Sequence, residues 1–287
     1  MNKCFVVIVQ YGDRHSFAVR KLARRLAAQH STHCEIVRTD QPEAAAFVAN
    51  PNEAMEFSGY QEGLGKISAA AKAAGLGDDD TATFVFLNDT AISSHIKWLS
   101  HLSLNILFDN LKSNYGQSNE YIGLRMPISS GIEQVSGKDG YLSTWLFALR
   151  ASLRTLSKVR FYEEPENFEN FSKSVLPGLP ARYLADVDSW LRPTHWLKGW
   201  YQAIPGRELD RDTRNRKLMS IYLEHRLPAR LRQLDFIVAD ISVSASEAQK
   251  ARLSKLRVAD RLNTNFIKLR LRAPHFLKKI LLKPFNR

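Results

Sequence analysis

Thr83-Phe84-Val85-Phe86-Leu87-Asn88-Asp89-Thr90 is a nearly unbroken apolar run that ends abruptly in a carboxylate between an amide and a hydroxyl. Phe84 to Leu87 read as a strand buried on both faces, because aromatic and β-branched residues without polar alternation suit the middle of a parallel sheet. Such a strand delivers its last residues to the edge where open α/β sheets bind their ligands. Asn88, Asp89 and Thr90 would supply hard oxygen ligands there. The same residues are favoured in ordinary strand-to-loop turns, so the motif takes its meaning from its neighbours.

Towards the N-terminus, strands and helices alternate. Cys4 to Gln10 reads as a buried strand, with Tyr11-Gly12-Asp13 turning out of it. Ser16 to Gln29 is expected to be helical, with Ser16 as N-cap, Phe17, Leu22 and Leu26 on one stripe, and Arg20, Lys21, Arg24 and Arg25 around it. His33 to Arg38 reads as a second strand ending at Thr39-Asp40. A helix is expected from near Ser58 to Ala74, stopped by Gly75 and Gly77. This alternation predicts βαβ units and an α/β fold with a mostly parallel sheet flanked by helices.

Beyond Thr90 the pattern loosens. Ile92 to Leu111 looks helical, Tyr121 to Met126 and Gly140 to Leu149 read as strands, and Ala151 to Lys158 as a helix. A helix is expected from about Arg214 to Glu224 and another over roughly 228–238. Residues 1–245 read as one domain and 246–287 as a tail.

Composition excludes several classes. The chain has 287 residues, 44% of them hydrophobic and 24% charged, which is globular. No apolar run approaches the roughly 20 residues a membrane span needs. Met1-Asn2-Lys3 followed at once by an apolar strand does not read as a signal peptide. Cys4 and Cys34 are expected to be buried thiols in a reducing cytoplasm, since no CxxC or paired histidine spacing accompanies them.

Taken together, Tyr11-Gly12-Asp13 after the first strand, Asp40 after the second, Gly59-Tyr60-Gln61-Glu62-Gly63 and Asn88-Asp89-Thr90 resemble a GT-A glycosyltransferase. More narrowly, they are similar to family-2-like enzymes of bacterial surface-polysaccharide clusters. Tyr141 to Leu149 resembles the serine-and-aromatic strand of their rhamnosyltransferase-like branch. The resemblance spans about residues 4–160. It implies a Rossmann-like GT-A domain that moves a sugar from a nucleotide-sugar donor to a saccharide or lipid-linked acceptor.

The resemblance also implies roles. Gln10, Tyr11 and Gly12 would shape the floor of the nucleotide pocket, Asp40 would accept from the base, and Glu62 and Asn88 would stand near the donor. Asp89 would correspond to the metal-ligating acid of the DxD motif and hold Mg²⁺ or Mn²⁺. This sequence has one carboxylate, in Asn88-Asp89-Thr90, where that motif commonly has two. A non-catalytic relative that binds a nucleotide or saccharide within a polysaccharide-assembly complex is therefore the alternative. No residue stands out as the catalytic base: Asp109, Glu133, Asp139, Glu163 and Glu164 are equally eligible.

Other residues stay open. Trp190, Trp196, Trp200 and Tyr201 could stack on an acceptor sugar or simply pack an irregular segment. Arg211, Arg214, Arg216 and Lys217 could hold a diphosphate or line a solvated helix face. His95 and His101 lack the spacing of a metal pair.

The formal charge of +12 is unevenly placed. Residues 251–287 hold eleven Lys or Arg against one acid, Asp260, so +10 lies in the tail and +2 in residues 1–250. Leu253, Leu256, Leu262, Phe266 and Leu269 recur mostly at helical spacing among those cations. Such a basic amphipathic helix is expected to lie on an anionic membrane surface. No nucleic-acid recognition module is recognisable, so nucleic acid is not an expected partner. The expected location is cytoplasmic, peripheral on the inner face of the cell membrane.

Overall fold

A computed structural model describes residues 3–13, 15–30, 33–39, 54–89, 91, 97–113, 119–126, 128–138, 140–193, 209–243 and 245–258, less the side chains at 30, 97–100 and 110–113. In chain order the elements are β1 (Cys4–Tyr11), α1 (Ser16–His30), β2 (His33–Thr39), α2 (Glu56–Ala73), β3 (Thr81–Asn88) and α3 (Lys97–Ser113). Next come β4 (Glu120–Arg125), α4 (Ser130–Ser136), β5 (Leu142–Ser152), α5 (Leu153–Leu156), α6 (Phe168–Ser174) and α7 (Ala181–Leu191). The last are α8 (Arg211–Arg232), β6 (Ile237–Asp240) and a helix over 247–258, α9.

Among the described residues the strands form one sheet in the order β2-β1-β3-β5-β4-β6. β1 runs parallel to β2 and β3, and β4 to β6, while β5 runs antiparallel to both its neighbours. The architecture is the α/β class expected, with a six-stranded, mostly parallel mixed sheet flanked by helices. β1 and β3 are the runs without polar alternation, and Phe5 to Val9 and Phe84 to Leu87 are at most 3% exposed. Burial on both faces is what that pattern means physically.

Each face of the sheet carries its own core. On one side α2, α7 and α8 pack over Val7, Val9, Phe84, Phe86, Phe147 and Leu149. On the other, α1, α3 and α9 pack over Val6, Ile8, Val85, Leu87, Leu146 and Ala148. The α2 contact is unusually close. A Cβ at Gly59 would come 2.7 Å from Val9 Cγ1, and one at Gly63 closer still to Val7 Cγ1. Glycines at i and i+4 therefore let one helix face lie directly on β1.

The structure differs from several expectations. The helix expected from Ser58 begins at Glu56. β5 continues to Ser152, leaving only Leu153–Leu156 as helix where Ala151 to Lys158 was expected. α8 is one helix that runs through Pro228 rather than two. Proline removes a single i→i−4 bond, here to the Glu224 carbonyl, and the buried Leu223, Leu227 and Leu231 hold the helix on either side. Asp235, at φ 62°, ends that run, and Ile237–Asp240 becomes a strand beside β4 instead of the helix expected over 228–238.

Packing also continues past residue 245. Leu253 is 3% exposed within the α1/α3 core, and Arg257 Nη2 donates to the Arg125 carbonyl at 3.3 Å. Residues 259–287 lie outside the described residues.

Candidate functional site at the carboxyl edge of β1 and β3

The chain leaves β1 through α1 to β2 on one side and returns through α2 to β3 on the other. The winding direction therefore reverses between β1 and β3, and open α/β sheets form their ligand crevice at such a point. Tyr11, Thr39 and Asn88 end their strands at this edge, and antiparallel β5 begins there.

Backbone hydrogen bonds pin the edge. Asp89 N donates to Val9 O at 2.9 Å, and Asp89 Oδ2 accepts from Tyr11 N at 3.0 Å. The carboxylate thus ties the two strand ends together while only 4% exposed. Gly12, at φ +55°, donates its N–H to Thr39 O at 3.2 Å, a left-handed turn that favours glycine. The Gln10 amide nitrogen donates to Ser16 Oγ at 2.7 Å and to Gly12 O, fixing the loop that enters α1.

A second wall faces this edge from the α2/α8 side. Tyr11 Oη donates to Glu56 Oε2 at 3.1 Å, and Ser220 Oγ reaches both Glu56 oxygens at 3.4 Å. Thr144 donates from its N–H and its hydroxyl to Glu224 Oε1, at 3.0 and 3.1 Å. Tyr60 Oη donates to Thr144 O at 2.7 Å. Its ring stands edge-on to Phe147, centroids 5.3 Å apart, which fixes where the hydroxyl points. Met55 enters α2 at φ 53°, a backbone conformation L side chains rarely adopt, immediately before Glu56. Strain of that kind costs of order 1–3 kcal/mol and concentrates at working sites.

Electrostatics mark Glu224. Burial pushes its acid up to about 7, and the charge of Glu56 adds to the rise, against the Thr144 donors and Lys217. Burial, then the charge on Glu56, raises the Tyr11 and Tyr60 hydroxyls well above the ordinary tyrosine value, and Asp89 adds to both. Both phenols therefore stay protonated and act as donors. A carboxyl group with an acidity near neutral can take up or release a proton at physiological pH. Next to it, burial alone holds His225 down to about 3, and Tyr183 Oη lies 3.2 Å from its Nδ1.

The sequence-derived candidates fare differently. Gln10, Tyr11, Gly12, Asn88 and Asp89 come together at this edge. Asn88 Oδ1 is buried there without a hydrogen-bond partner among the described residues. Asp40, Asp139, His95, Trp196, Trp200 and Tyr201 lie outside the described residues. Glu62 is six residues into α2, about 9 Å along the axis from Glu56. There it pairs with Lys66 at 2.6 Å, while Gly63 serves packing on Val7.

Among the eligible bases, Asp109 is exposed on α3, across the sheet. Glu133 lies in the first turn of α4, and Glu163 caps a short 3₁₀ turn with Glu166. Arg214 is forked onto Asp188 at 3.1 and 2.8 Å, and Arg216 lies 3.7 Å over the Phe168 ring. Of that basic group, Lys217 is the one whose charge Glu224 feels. Trp190 is exposed on α7, and His101 Nδ1 lies 3.3 Å from Arg25.

Glu56 and Glu224 were not singled out from the sequence. A signal for Glu224 exists in hindsight: Lys217, Ser220 and Glu224 form a polar stripe at i, i+3 and i+7 beside the apolar Leu223, Leu227 and Leu231. Glu56 offers no comparable pattern.

For a divalent cation, no group of three or more His, Cys, Asp or Glu among the described residues is arranged to hold one. Among the described residues, the ends of β1 and β3 themselves offer the Asp89 carboxylate and the Asn88 amide oxygen. That set fits a hard cation only if phosphate oxygens and water complete its shell. No family model, no curated protein and no solved structure matches this chain.

Proposed function

We propose that the chain is a glycosyltransferase that moves a sugar from a nucleotide-sugar donor to a saccharide or lipid-linked acceptor in bacterial surface-polysaccharide synthesis. The observation that carries this reading is the convergence of Asp89 and Glu224, one from a strand end and one from a helix, on a single sheet edge. On this reading Tyr11, Gly12, Asn88 and Asp89 bind the donor. Mg²⁺ or Mn²⁺ held by Asp89 and Asn88 would neutralise charge developing on the diphosphate leaving group.

Glu224 takes the proton of the acceptor hydroxyl. Its acidity near 7 supports that role, because a base works best when its pKa lies near the working pH. Thr144 holds one oxygen, Oε1, with two donors and so orients the carboxylate. The charge of Lys217 favours the ionised form of Glu224.

The low exposure of Asn88 and Asp89, 5% and 4%, favours a second reading: a non-catalytic GT-A-like protein that binds a nucleotide or saccharide in an assembly complex. The expected location for either is the inner face of the cell membrane, held by the basic tail. Among the described residues no helix is long and apolar enough to cross a membrane.

A panel of nucleotide sugars, read by thermal shift with and without Mn²⁺, tests the proposal, since a ligand of the native state raises its melting temperature. One or more nucleotide sugars should stabilise the protein and be turned over. Stabilisation without turnover against any acceptor supports the second reading. No stabilisation by any nucleotide or nucleotide sugar contradicts both.

A further inference from the structure

The near-neutral charge of residues 1–250 conceals a segregation that only the fold brings out. α1 carries Arg20, Lys21, Arg24 and Arg25, all exposed, and no acid in its fifteen residues. Its buried stripe is Val19, Leu22 and Leu26, with Phe17 pointing out rather than joining Leu22 and Leu26 as expected, and it packs on the same sheet face as Leu102, Ile106 and Leu107 of α3 and Leu253 of α9. His101 of α3 lies 3.3 Å from Arg25, so α1 and α3 are neighbours in that layer. α9 turns Leu253 and Leu256 inward and Arg252 and Lys255 outward.

The leucines expected to enter a membrane are therefore spent on the protein at 253 and 256, and the cations beside them face out. The tail joins the body on the basic layer. Between α9 and residues 242–243 lies a groove of about 490 Å³ lined by Ser242, Val243, Lys250, Leu253, Ser254 and Arg257. Apolar side chains punctuate the layer: Phe17 is 76% exposed in the first turn of α1, Val243 75% and Val258 54%.

We infer that the outer surface of the α1/α3/α9 layer, and not the tail alone, docks this protein on an anionic lipid bilayer. Six strands span roughly 24 Å, so the layer offers a broad face on which cations from both ends meet the bilayer together. Long-range attraction comes from the cations and shallow insertion from Phe17, Val243 and Val258. Lys250, which pairs with the exposed Glu247 at 2.8 Å, and Arg257, which donates to the Arg125 carbonyl, put cations on the walls of the groove, where a phospholipid headgroup would compete for them. A nucleic acid would also meet the cations, but it offers nothing to the exposed Phe17 and valines. Phe17 follows the Gln10–Ser16 loop directly, so the docked face adjoins the β1/β3 crevice. If the transferase reading holds, a lipid-linked acceptor reaches the site along the start of α1.

Sedimentation of the full chain tests this, with vesicles of phosphatidylcholine alone or mixed with phosphatidylserine, at low and high salt. Wild type should bind only the anionic vesicles and leave them in high salt. Arg20→Glu/Arg24→Glu should weaken that binding on the order of a hundredfold, with every charge of residues 251–287 intact. Arg20→Gln/Arg24→Gln should weaken it on the order of tenfold, and unchanged thermal melting of both variants excludes misfolding.

Either pair binding as tightly as wild type would overturn the inference and leave docking to the tail. So would indifference to anionic vesicles, or tighter binding to single-stranded RNA with a steep salt dependence. No donor or acceptor enters this assay, so its failure and that of the transferase reading are separate results.

Discussion

The two helical layers use their polar residues in opposite ways. The α2/α8 layer turns carboxylates and hydroxyls inward, where Glu56, Glu224, Tyr11, Tyr60 and Thr144 bond one another at the sheet edge. The α1/α9 layer turns its cations outward and fills its inner side chiefly with aliphatic residues. A polar group turned inward is costly unless it is paired, so a network held there against that cost points to chemistry. A charge turned outward costs little, and its aggregation on one face points to a partner. The same sheet thus carries a buried polar network on one side and an outward-facing set of cations on the other.

The most severe way to break the inward network is at Asp89. Asp89→Asn should abolish metal-dependent donor binding and turnover, because the carboxylate that would hold the cation against the diphosphate is gone. The amide can still accept from Tyr11 N, so the fold should survive. Turnover and donor affinity equal to wild type would remove Asp89 from the site.

A smaller effect separates burial from pairing at Glu224. Its acidity in the fold, about 7, lies above the ordinary 4.5. The stability this group contributes is present below about pH 4.5 and lost as pH rises through 7. Glu224→Gln removes that penalty. The variant should match wild type near pH 4 and exceed it at pH 8 by on the order of 2–3 kcal/mol. Denaturant unfolding at both pH values reads this directly. A pH-independent difference would show that Glu224 is not buried as a charged group.

Packing beneath the network comes next. Gly63→Ala forces a methyl against Val7 on β1, and should destabilise by about 1–3 kcal/mol in thermal unfolding. The smallest effect sharpens the contrast between the wall and the helix behind it. Glu62→Gln loses a partly exposed i,i+4 pair with Lys66, worth about 0.2–0.5 kcal/mol, and should leave donor binding unchanged. A loss of donor affinity would restore Glu62 to the site.

Local pattern carried the sequence reading as far as local pattern reaches. β1 and β3 were legible because burial on both faces leaves an unbroken apolar run, and Asp89 was legible as the residue that ends one. The start of α2 lies two residues before the Ser58 that local pattern indicates, which puts Glu56 in its first turn and Glu62 further along the helix, beside Lys66. Glu56 and Glu224 are brought together by the packing of α8 over α2, and no spacing in the chain encodes that. β6 has only four residues, and its apolar letters continue those of α8 until Asp235 turns the chain. The charge segregation was half visible: α1's cations were apparent, but that α9 shares their face depends on the position of Leu253.

The central claim is that Glu224 acts on the acceptor at the edge where Asp89 holds the donor. Donor affinity and turnover measured side by side for wild type and Glu224→Gln test it most directly, using the nucleotide sugar found to stabilise the protein. Glu224→Gln should bind that nucleotide sugar as wild type does and turn it over roughly 10²- to 10⁴-fold more slowly, with the rise in rate through pH 7 abolished. Turnover equal to wild type, with the pH profile intact, would contradict the claim.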